Sequence, residues 1–200
     1  MRIAVWGARG RVGSKVCDVA VNRGHTVFAV DRDNCDTFHT PCDVVIDFSL
    51  PSSTESVTKY CKNHLAPLVV GTTGHNNVQL ALLQNLESYV TVVKKANFSK
   101  GIAIVEQICK QIALPNDWDA AIWEKHRKGK IDSPSGTATE LARLLDCKDI
   151  LSMRVGNEFG THTVVLGGID ECIEITHRAT SVDVFALGAL DVAEKIATNK

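Results

Sequence analysis

The feature that most constrains the fold is a regular alternation of short apolar runs and helical stripes in the first half of the chain. The runs of strand length are Arg2–Trp6, His25–Val30, Asp43–Phe48, Pro67–Val70 and Tyr89–Val93. Helical segments separate them, with a stripe at Val12, Val16 and Val19, a polar helix opening at Ser49, and another over Val78–Leu86. Strands joined through helices imply crossover connections and a parallel sheet covered on both faces. We therefore predict an α/β fold with a Rossmann-like, doubly wound domain.

The pattern changes after about residue 97, where strands follow one another with few helices between them. The later apolar runs are Trp118–Glu124, Ile150–Val155, His162–Leu166 and Cys172–Thr176. Helical stripes stand at Ile102–Ile112 and Thr137–Leu145, and a last one contains Leu187, Leu190, Ala193 and Ile196. This order of elements predicts a second, smaller α+β domain built on an open, mixed sheet.

The charge balance and the cysteine pattern argue against several classes of protein and of binding site. The 22 basic and 23 acidic residues give a formal charge of -1, which provides no basic footprint for nucleic acid. No stretch is long and apolar enough to cross a membrane, and Met1 leads directly into the first strand instead of a signal peptide. Seven scattered cysteines without a CxxC pair predict reduced thiols in a cytoplasmic protein, and no metal site.

Gly7, Gly10 and Gly13 fall on the turn between the first strand and the first helix. The N–H groups and positive dipole end of that helix point above the sheet, and glycines let a pyrophosphate approach the backbone. Arg9 occupies the usual second glycine of GxGxxG, so the motif taken alone equally fits a tight turn. Asp31, at the end of the second strand, adds a carboxylate that can accept hydrogen bonds from an adenosine ribose.

Arg32, directly after Asp31, leaves the choice between NADH and NADPH open. A carboxylate disfavours a 2′-phosphate, whereas a guanidinium can pair with one. Two further turns lie at the carboxyl edge of the predicted sheet, Gly71-Thr72-Thr73-Gly74 and Asn97-Phe98-Ser99. Both can line a nicotinamide, and both also fit ordinary strand-ending turns.

The segment EKHRKGKIDSPSGT, from Glu124 to Thr137, concentrates groups that suit an anionic substrate. A strand delivers His126 to a basic loop, which turns into a helix that Ser135 or Thr137 can cap. The first N–H groups of that helix can hold a carboxylate, and a histidine with a pKa of about 6.5 can pass a proton near neutral pH. The alternative interpretation is a solvated basic loop with a structural histidine.

Several motifs in this order resemble the 4-hydroxy-tetrahydrodipicolinate reductase family, also called the dihydrodipicolinate reductases. The pattern ExHxxxKxDxPSGTA, from Glu124 to Ala138, looks like the signature of that family. The other similar segments are GxxGRxG at Gly7, GTTG at Gly71, ANFSxG at Ala96, RxG at Arg154, GxH at Gly160 and EITHRA at Glu174. The similarity therefore extends along the whole chain.

The resemblance implies a dinucleotide-binding domain of residues 1–97 with 180–200, and a substrate-binding and oligomerisation domain of residues 98–179. It also implies a homotetramer assembled through the sheets of the second domain. In such an enzyme, NADH or NADPH reduces a small dicarboxylate in lysine and diaminopimelate biosynthesis, with loss of water from the 4-hydroxy form. His126 would donate a proton, and Lys130 would polarise or protonate the substrate.

The resemblance further implies a set of binding residues. The substrate would be held by Arg127, Ser135, Gly136, Thr137 and Thr73. The cofactor would be surrounded by Gly7, Ala8, Arg9, Gly10, Arg11, Val12, Asp31, Arg32, Gly71, Thr72, Thr73, Lys95, Ala96, Asn97 and Phe98. The chain departs from the family in two ways: Arg127 stands where a second histidine is usual, and the chain is short after Val30 and in the second domain. A guanidinium can still hold a carboxylate, without titrating near neutrality.

Two other functions compete with this one. Another NAD(P)-dependent dehydrogenase of small substrates would explain the first half of the chain but not the segment from Lys130 to Thr137. A non-catalytic NAD(P)H-sensing protein would fit the Arg127 departure and the short chain, but it has no need of His126 and Lys130. His162 and His177 lie on predicted strands, where structural or interfacial roles are expected.

Overall fold

The computed structural model describes residues 1–198, which form two compact units. The first unit comprises Met1–Phe98 and the segment from Val182 onwards, and the second comprises Ser99–Ser181. Residues 199–200 of the predicted first domain lie outside the described residues.

In chain order, the elements of the first part of the chain are β1 (Arg2–Trp6), α1 (Arg11–Asn22), β2 (Thr26–Val30), β3 (Val44–Asp47), α2 (Thr54–His64), β4 (Leu68–Val70), α3 (Asn77–Leu86) and β5 (Val92–Lys94). They are followed by α4 (Lys100–Gln111), β6 (Asp119–His126), α5 (Gly136–Leu144), β7 (Asp149–Arg154), β8 (Thr161–Gly167), β9 (Cys172–Arg178) and α6 (Asp183–Ala197).

The first unit is built on a five-stranded parallel sheet in the order β2-β1-β3-β4-β5. The predicted Rossmann-like sheet is therefore confirmed. The direction in which strands are added reverses between β1 and β3. The chain places β2 on one side of β1, and then returns to place β3, β4 and β5 on the other side. In open sheets of this kind, ligands bind in the crevice that such a reversal leaves at the carboxyl ends of the strands.

Strand β1 shows why both faces of this sheet are covered. Its side chains alternate between the two faces: Ile3 and Val5 lie in one core cluster, and Ala4 and Trp6 lie in the other. The first cluster includes apolar residues of α1 and α6, and the second includes residues of α2 and α3. All four side chains are fully buried, as expected of a strand that is sandwiched between two helical layers.

Two predicted boundaries in the first unit are displaced for local reasons. The helix expected to open at Ser49 starts at Thr54, because Pro51–Ser53 form a single 3₁₀ turn before it. The strand expected over Tyr89–Val93 is β5, Val92–Lys94. The N–H groups of Tyr89 and Val90 donate to the carbonyl of Leu86, at 2.9 and 3.1 Å, so this stretch continues the turn that ends α3.

The second unit is built on a four-stranded sheet in the order β7-β6-β8-β9. Strand β6 pairs in parallel with β7 and antiparallel with β8, which in turn pairs antiparallel with β9, so the predicted mixed sheet is confirmed. Ile122, Val164 and Leu166 on one face form a core cluster with Val105 of α4 and Leu141 of α5. Within residues 1–198, no helix combines the length and apolarity that a membrane crossing needs.

Candidate active site

The glycine loop of the first unit leads from β1 into α1. Gly7 has a φ of 74°, and a Cβ there would lie 2.6 Å from the carbonyl oxygen of Phe48. A Cβ at Gly13 would overlap the carbonyl oxygen of Gly7, while Gly10 is the N-cap of α1. Backbone packing thus requires glycine at Gly7 and Gly13, and the same lack of side chains opens the helix N-terminus to a pyrophosphate.

A cleft of about 200 Å³ opens beside this loop, near the carboxyl ends of β1 and β3. Its walls include Gly7, Gly10, Asp31, Arg32, Phe48 and Ser49. Asp31 accepts a hydrogen bond from the backbone N–H of Arg9 at 3.0 Å. The fold thus brings Asp31 to the glycine loop, which contains Ala8 and Arg9 and leads into Arg11 and Val12 of α1. Asp33, two residues after Asp31, forms an ion pair with the Arg9 side chain at 2.9 Å.

Asp47, which sequence reasoning missed, connects the predicted cofactor turn at Gly71 to Ser49 in the cleft wall. Its carboxylate is buried at the end of β3 and accepts hydrogen bonds from the backbone N–H and the hydroxyl of Ser49, at 2.9 and 2.5 Å. It also accepts one from the hydroxyl of Thr72, at 3.0 Å. Burial raises the pKa of Asp47, although the hydrogen bonds from Ser49 and Thr72 oppose the rise. The turn containing Thr73 is thereby fixed to the cleft wall.

The segment from Lys95 to Phe98 lies against the same turn. The N–H of Lys95 donates to the carbonyl of Val70 at 3.1 Å, so the chain after β5 stays beside the end of β4. The rings of Phe98 and Phe48 are 5.9 Å apart, and a Cβ at Gly71 would overlap the Phe48 ring. The predicted residues Ala96 and Asn97 are carried on this segment. The structure therefore brings the glycine loop, the Gly71 turn and this segment to one edge of the sheet.

In the second unit, His126 is the last residue of β6. It lies two residues after Glu124, so both side chains project from the same face of the sheet. The strand expected to end at Glu124 therefore includes the histidine. His126 is 8% exposed, and its Nδ1 hydrogen-bonds Glu124 Oε2. A Cβ at Gly160 would lie 3.0 Å from His126 Nε2, so glycine at that position keeps space beside the second ring nitrogen.

Glu124 is fully buried and ionised. Arg154 donates two hydrogen bonds of 2.8 Å to Glu124, one to each carboxylate oxygen. The backbone N–H of Ser135 also donates to Oε1, at 3.2 Å. Burial alone would raise the pKa of Glu124, but the hydrogen bonds from Arg154 and His126 outweigh it and lower the pKa to about 2. Because the acceptor is a carboxylate, His126 donates from Nδ1, which leaves Nε2 to take up or release a proton.

The pKa of His126 lies below its usual value. Burial is the main cause, and the positive charges of Lys130 and Arg154 add to it, whereas Glu124 opposes the shift. At neutral pH this favours the neutral imidazole, and a proton taken up on Nε2 is held weakly. A lower pKa makes this proton easier to release but reduces the fraction of His126 that carries it, and general acid catalysis depends on both.

His162 packs beside His126 and supports the start of α5. The two rings are 5.0 Å apart in an edge-to-face arrangement. The Ser135 hydroxyl caps α5 by accepting from the N–H of Ala138 at 3.2 Å, and it forms a second hydrogen bond with His162 Nε2 at 3.1 Å. Burial, followed by the charge of His126, lowers the pKa of His162 to about 3. His162 is thus neutral near pH 7 and bound to the cap of α5, and a structural or interfacial role remains the prediction for it.

The loop between β6 and α5 presents cations next to the start of the helix. Lys130 forms an ion pair with Asp132 at 2.7 Å, and the Asp132 carbonyl accepts from Arg154 at 2.6 Å. Burial would raise the pKa of Asp132, but Lys130 lowers it. Arg127 is half-buried and its guanidinium lies against Gly129. The loop therefore gathers the cations that a dianionic substrate would need.

The helix itself begins at Gly136, with Ser135 as its N-cap and Thr137 buried in its first turn. Of the two predicted caps, Ser135 is correct and Thr137 is not. Ser135, Gly136 and Thr137 stand together at the N-terminus of α5, whose N–H groups favour an anion. Thr73, the remaining substrate candidate, belongs to the first unit. No group of side chains within residues 1–198 has the composition of a metal site.

Sequence reasoning therefore missed Glu124 and Arg154 as members of the site. The signal for Glu124 was present, because residues two apart on a strand face the same way. The signal for Arg154 was only its place in the RxG motif, since its contact with Glu124 depends on the pairing of β6 with β7.

Comparison with known proteins gives the following relationships. The sequence model described as "Dihydrodipicolinate reductase, N-terminus" matches residues 1–98, and that described as "Dihydrodipicolinate reductase, C-terminus" matches residues 101–200. A 4-hydroxy-tetrahydrodipicolinate reductase of Thermosipho africanus is 41% identical over 203 residues, which cover 100% of this chain and 93% of the relative. One of Clostridium tetani is 35% identical, covering 95% of this chain and 89% of the relative.

Among solved structures, a dipicolinate-bound dihydrodipicolinate reductase from Paenisporosarcina sp. TG-14 superposes with a TM-score of 0.74. It is 20% identical in sequence, and the match covers 99% of this chain and 95% of that chain. At this sequence identity, the superposition shows only that the two proteins share a fold.

Proposed function

Because the chain belongs to the dihydrodipicolinate reductase family, we propose that it reduces 4-hydroxy-tetrahydrodipicolinate to tetrahydrodipicolinate with NADH or NADPH, in lysine and diaminopimelate biosynthesis. The observation that carries the proposal is the buried, ionised Glu124 that holds His126 through Nδ1, in the unit that also presents Lys130 and the start of α5. An imidazole oriented in this way supplies a proton from one defined atom, Nε2.

The first unit fits a nicotinamide dinucleotide. Gly7 and Gly13 carry no side chain that would block the start of α1, and the cleft of about 200 Å³ beside them is lined by Asp31 and Arg32. Asp31 would bind the adenosine ribose, Arg32 would face a 2′-phosphate, and Thr72 and Phe98 would stand near the nicotinamide. When bound, this cofactor supplies the hydride. The residues of the unit only bind it and orient it.

The second unit fits a small dicarboxylate. The N–H groups of Gly136 and Thr137 would hold one carboxylate, and Arg127 would pair with the other. Lys130 would turn from Asp132 towards the substrate and polarise it. His126 would give its Nε2 proton to the reacting substrate, while the Glu124 carboxylate stabilises the imidazolium beforehand.

A coupled assay tests this function directly. The substrate is generated in place from pyruvate and aspartate semialdehyde by a synthase, and oxidation of NADH or NADPH is followed by its near-ultraviolet absorbance. Substrate-dependent oxidation is the expected result, and the ratio of the two rates shows whether Asp31 or Arg32 governs cofactor choice. A folded protein that binds NADPH without oxidising it would instead favour a sensor or another dehydrogenase.

His126→Ala tests the role given to the histidine. Removal of the proton donor is expected to lower kcat by roughly 10²–10⁴-fold with little change in the Kd for NADPH, since general acid catalysis contributes about that much. His39→Ala, at an exposed histidine of the first unit, is the control and should behave as wild type. Equal losses of turnover and of cofactor binding would show that His126 supports the fold.

We also propose that the protein is a homotetramer assembled through the sheet of its second unit. The face of this sheet opposite α4 and α5 carries apolar side chains on β7, with Leu151 63% exposed and Met153 37% exposed. Exposed apolar side chains in a row indicate a surface that another chain covers. Light scattering coupled to size exclusion is expected to give a tetramer that Leu151→Lys dissociates. A monomeric wild-type protein would contradict the assembly.

We further propose that the protein is cytoplasmic. All seven cysteines fall within residues 1–198 and are free thiols, and one of them, Cys172, is exposed. Free thiols persist in reducing compartments such as the cytoplasm, whereas disulfides form in oxidising ones.

A further inference from the structure

Arg154 is brought to the candidate active site by strand pairing alone. In the parallel ladder between β6 and β7, Arg154 is the register partner of His126, although the two are distant in sequence. Its Nη1 and Nη2 each donate to one oxygen of Glu124 at 2.8 Å, and Nη2 also donates to the Asp132 carbonyl at 2.6 Å. One guanidinium therefore holds both the carboxylate behind His126 and the loop that carries Lys130.

Two cationic groups share this one buried carboxylate. Glu124 is 0% exposed, and its oxygens receive hydrogen bonds from Arg154 and His126 and from the N–H of Ser135. A guanidinium keeps its charge at every pH at which a protein is folded, whereas an imidazole does not. The permanent charge of Arg154 thus balances Glu124 while His126 is neutral, and it competes with an imidazolium for the same anion when His126 is protonated.

From this geometry we propose that Arg154 is a positioning residue that shares the Glu124 carboxylate with His126, so that the Nε2 proton of His126 stays transferable, and that fixes the Lys130 loop through Asp132. The inference rests on the proposed function, because a transferable proton matters only if His126 is the donor. Nothing else on β7 reaches the carboxylate with a charge: Ser152, the register partner of Glu124, is neutral.

The other charged or titratable groups that face His126 come from each element around it. Glu124 lies on its own strand, Arg154 on β7 and His162 on β8, while Lys130 lies in the loop before α5. Glu124 supports the imidazolium, and Lys130 and Arg154 oppose it. Removing Arg154 and removing Glu124 should therefore move the protonation of His126 in opposite directions, which a purely structural role for Arg154 would not do.

The test is an NMR titration of the imidazole nitrogens in the full-length protein without substrate, with the His126 signal assigned from His126→Gln. Arg154→Met should raise the pKa of His126, because the imidazolium becomes the only cation on a buried carboxylate, and Glu124→Gln should lower it. In the Glu124→Gln background, Arg154→Met should shift the pKa less than it does alone. An unchanged or lowered pKa in Arg154→Met would overturn the inference.

Arg154→Lys separates the effect of the positive charge of Arg154 from the effect of its several hydrogen bonds. A lysine keeps the positive charge but cannot contact both Glu124 oxygens and the Asp132 carbonyl, so the pKa of His126 should stay near that of wild type while KM rises roughly tenfold. For Arg154→Met, the pH profile of kcat/KM should move to higher pH, because the His126 proton is held more tightly, while loss of the contact with the Asp132 carbonyl should raise KM roughly tenfold. A loss of the same factor at every pH would mean that Arg154 only supports the fold.

Two controls keep the outcomes separate. Thermal unfolding followed by circular dichroism shows whether each variant is folded. If Arg154→Met alone does not fold, the double variant Glu124→Gln with Arg154→Met replaces it, because it carries no unpaired buried charge. If wild type lacks reductase activity, the proposed function fails, yet the titration still decides whether Arg154 controls the His126 proton. If wild type is active and the pKa does not move, the inference on Arg154 fails alone.

Discussion

Gly13 lies in the first turn of α1, where alanine would normally be the better residue. In an exposed helix, glycine is about 1 kcal/mol less favourable than alanine. Here a Cβ would overlap the carbonyl oxygen of Gly7, and that oxygen belongs to the backbone and cannot turn away. The conformational preference of a helix is therefore overridden by the close approach of two backbone segments that the cofactor loop needs.

Gly13→Ala is accordingly expected to weaken NADPH binding by at least about tenfold, since the loop must shift away from its pyrophosphate-binding position. Fluorescence titration of NADPH measures the change. Gly24→Ala is the matched control: Gly24 has a φ of 79° but open space around its Cβ position, so it should cost about 1 kcal/mol of stability and leave NADPH affinity unchanged. Wild-type affinity in Gly13→Ala would show that the loop is more pliable than its packing indicates.

At the scale of elements, β6 and α5 meet through their ends. The alternation of β6 places Glu124 and His126 on the same face as Ile122, so the strand carries its apolar contact and its polar site on one side. The cap of α5 is then joined to that site twice, through the Ser135 N–H to Glu124 and through the Ser135 hydroxyl to His162. The helix N-terminus is thereby held where an anion would bind.

Ser135→Ala should therefore cost more than an ordinary N-cap. Loss of the cap costs about 1 kcal/mol, and the buried Nε2 of His162 loses its hydrogen-bond partner at a further 1–3 kcal/mol, so roughly 2–4 kcal/mol is expected. Asn76→Ala removes the exposed capping box of α3 and should cost only about 1 kcal/mol. Chemical denaturation compares the two variants, and equal losses would mean that His162 finds another partner.

At the scale of the whole molecule, buried titratable groups make the protein sensitive to acid. The pKa of His162 is about 3 in the folded chain against 6.5 for the free side chain, so between these values the unfolded chain binds one proton more. Stability contributed by neutral His162 is complete above pH 6.5 and declines as the pH falls towards 3. Glu124, with a pKa of about 2 against 4.5, adds a second decline as the pH falls below 4.5.

His162→Gln tests this pH dependence. Each group contributes a slope of about 1.4 kcal/mol per pH unit within its window, so the variant should lose about that much of the slope between pH 6 and 5. Chemical denaturation at several pH values, followed by the fluorescence of Trp118 and Trp123 in the second unit, measures it. His39→Gln, an exposed histidine, should keep the wild-type slope. A variant with the full slope would locate the acid sensitivity elsewhere.

Periodicity in the sequence determined the elements and the class of each sheet. The alternation of runs and stripes predicted a parallel sheet followed by a mixed one, because the side-chain period of a strand or helix is a local property of a few residues. Short motifs in the sequence likewise identified the candidate site residues, which are the glycine loop, Asp31, His126, Lys130 and the residues at the start of α5.

Only the tertiary structure decided which of these residues meet. The order of strands in the first sheet, the Asp47 contacts with Ser49 and Thr72, and the grip of Arg154 on Glu124 all join residues from neighbouring strands that are separate in sequence. Strand register fixes such contacts, and register follows from how whole faces pack rather than from any one segment. The sequence by itself thus pointed to His126 and Lys130 as candidates for proton transfer, and the fold decided that a buried carboxylate, itself bound by a guanidinium, holds His126.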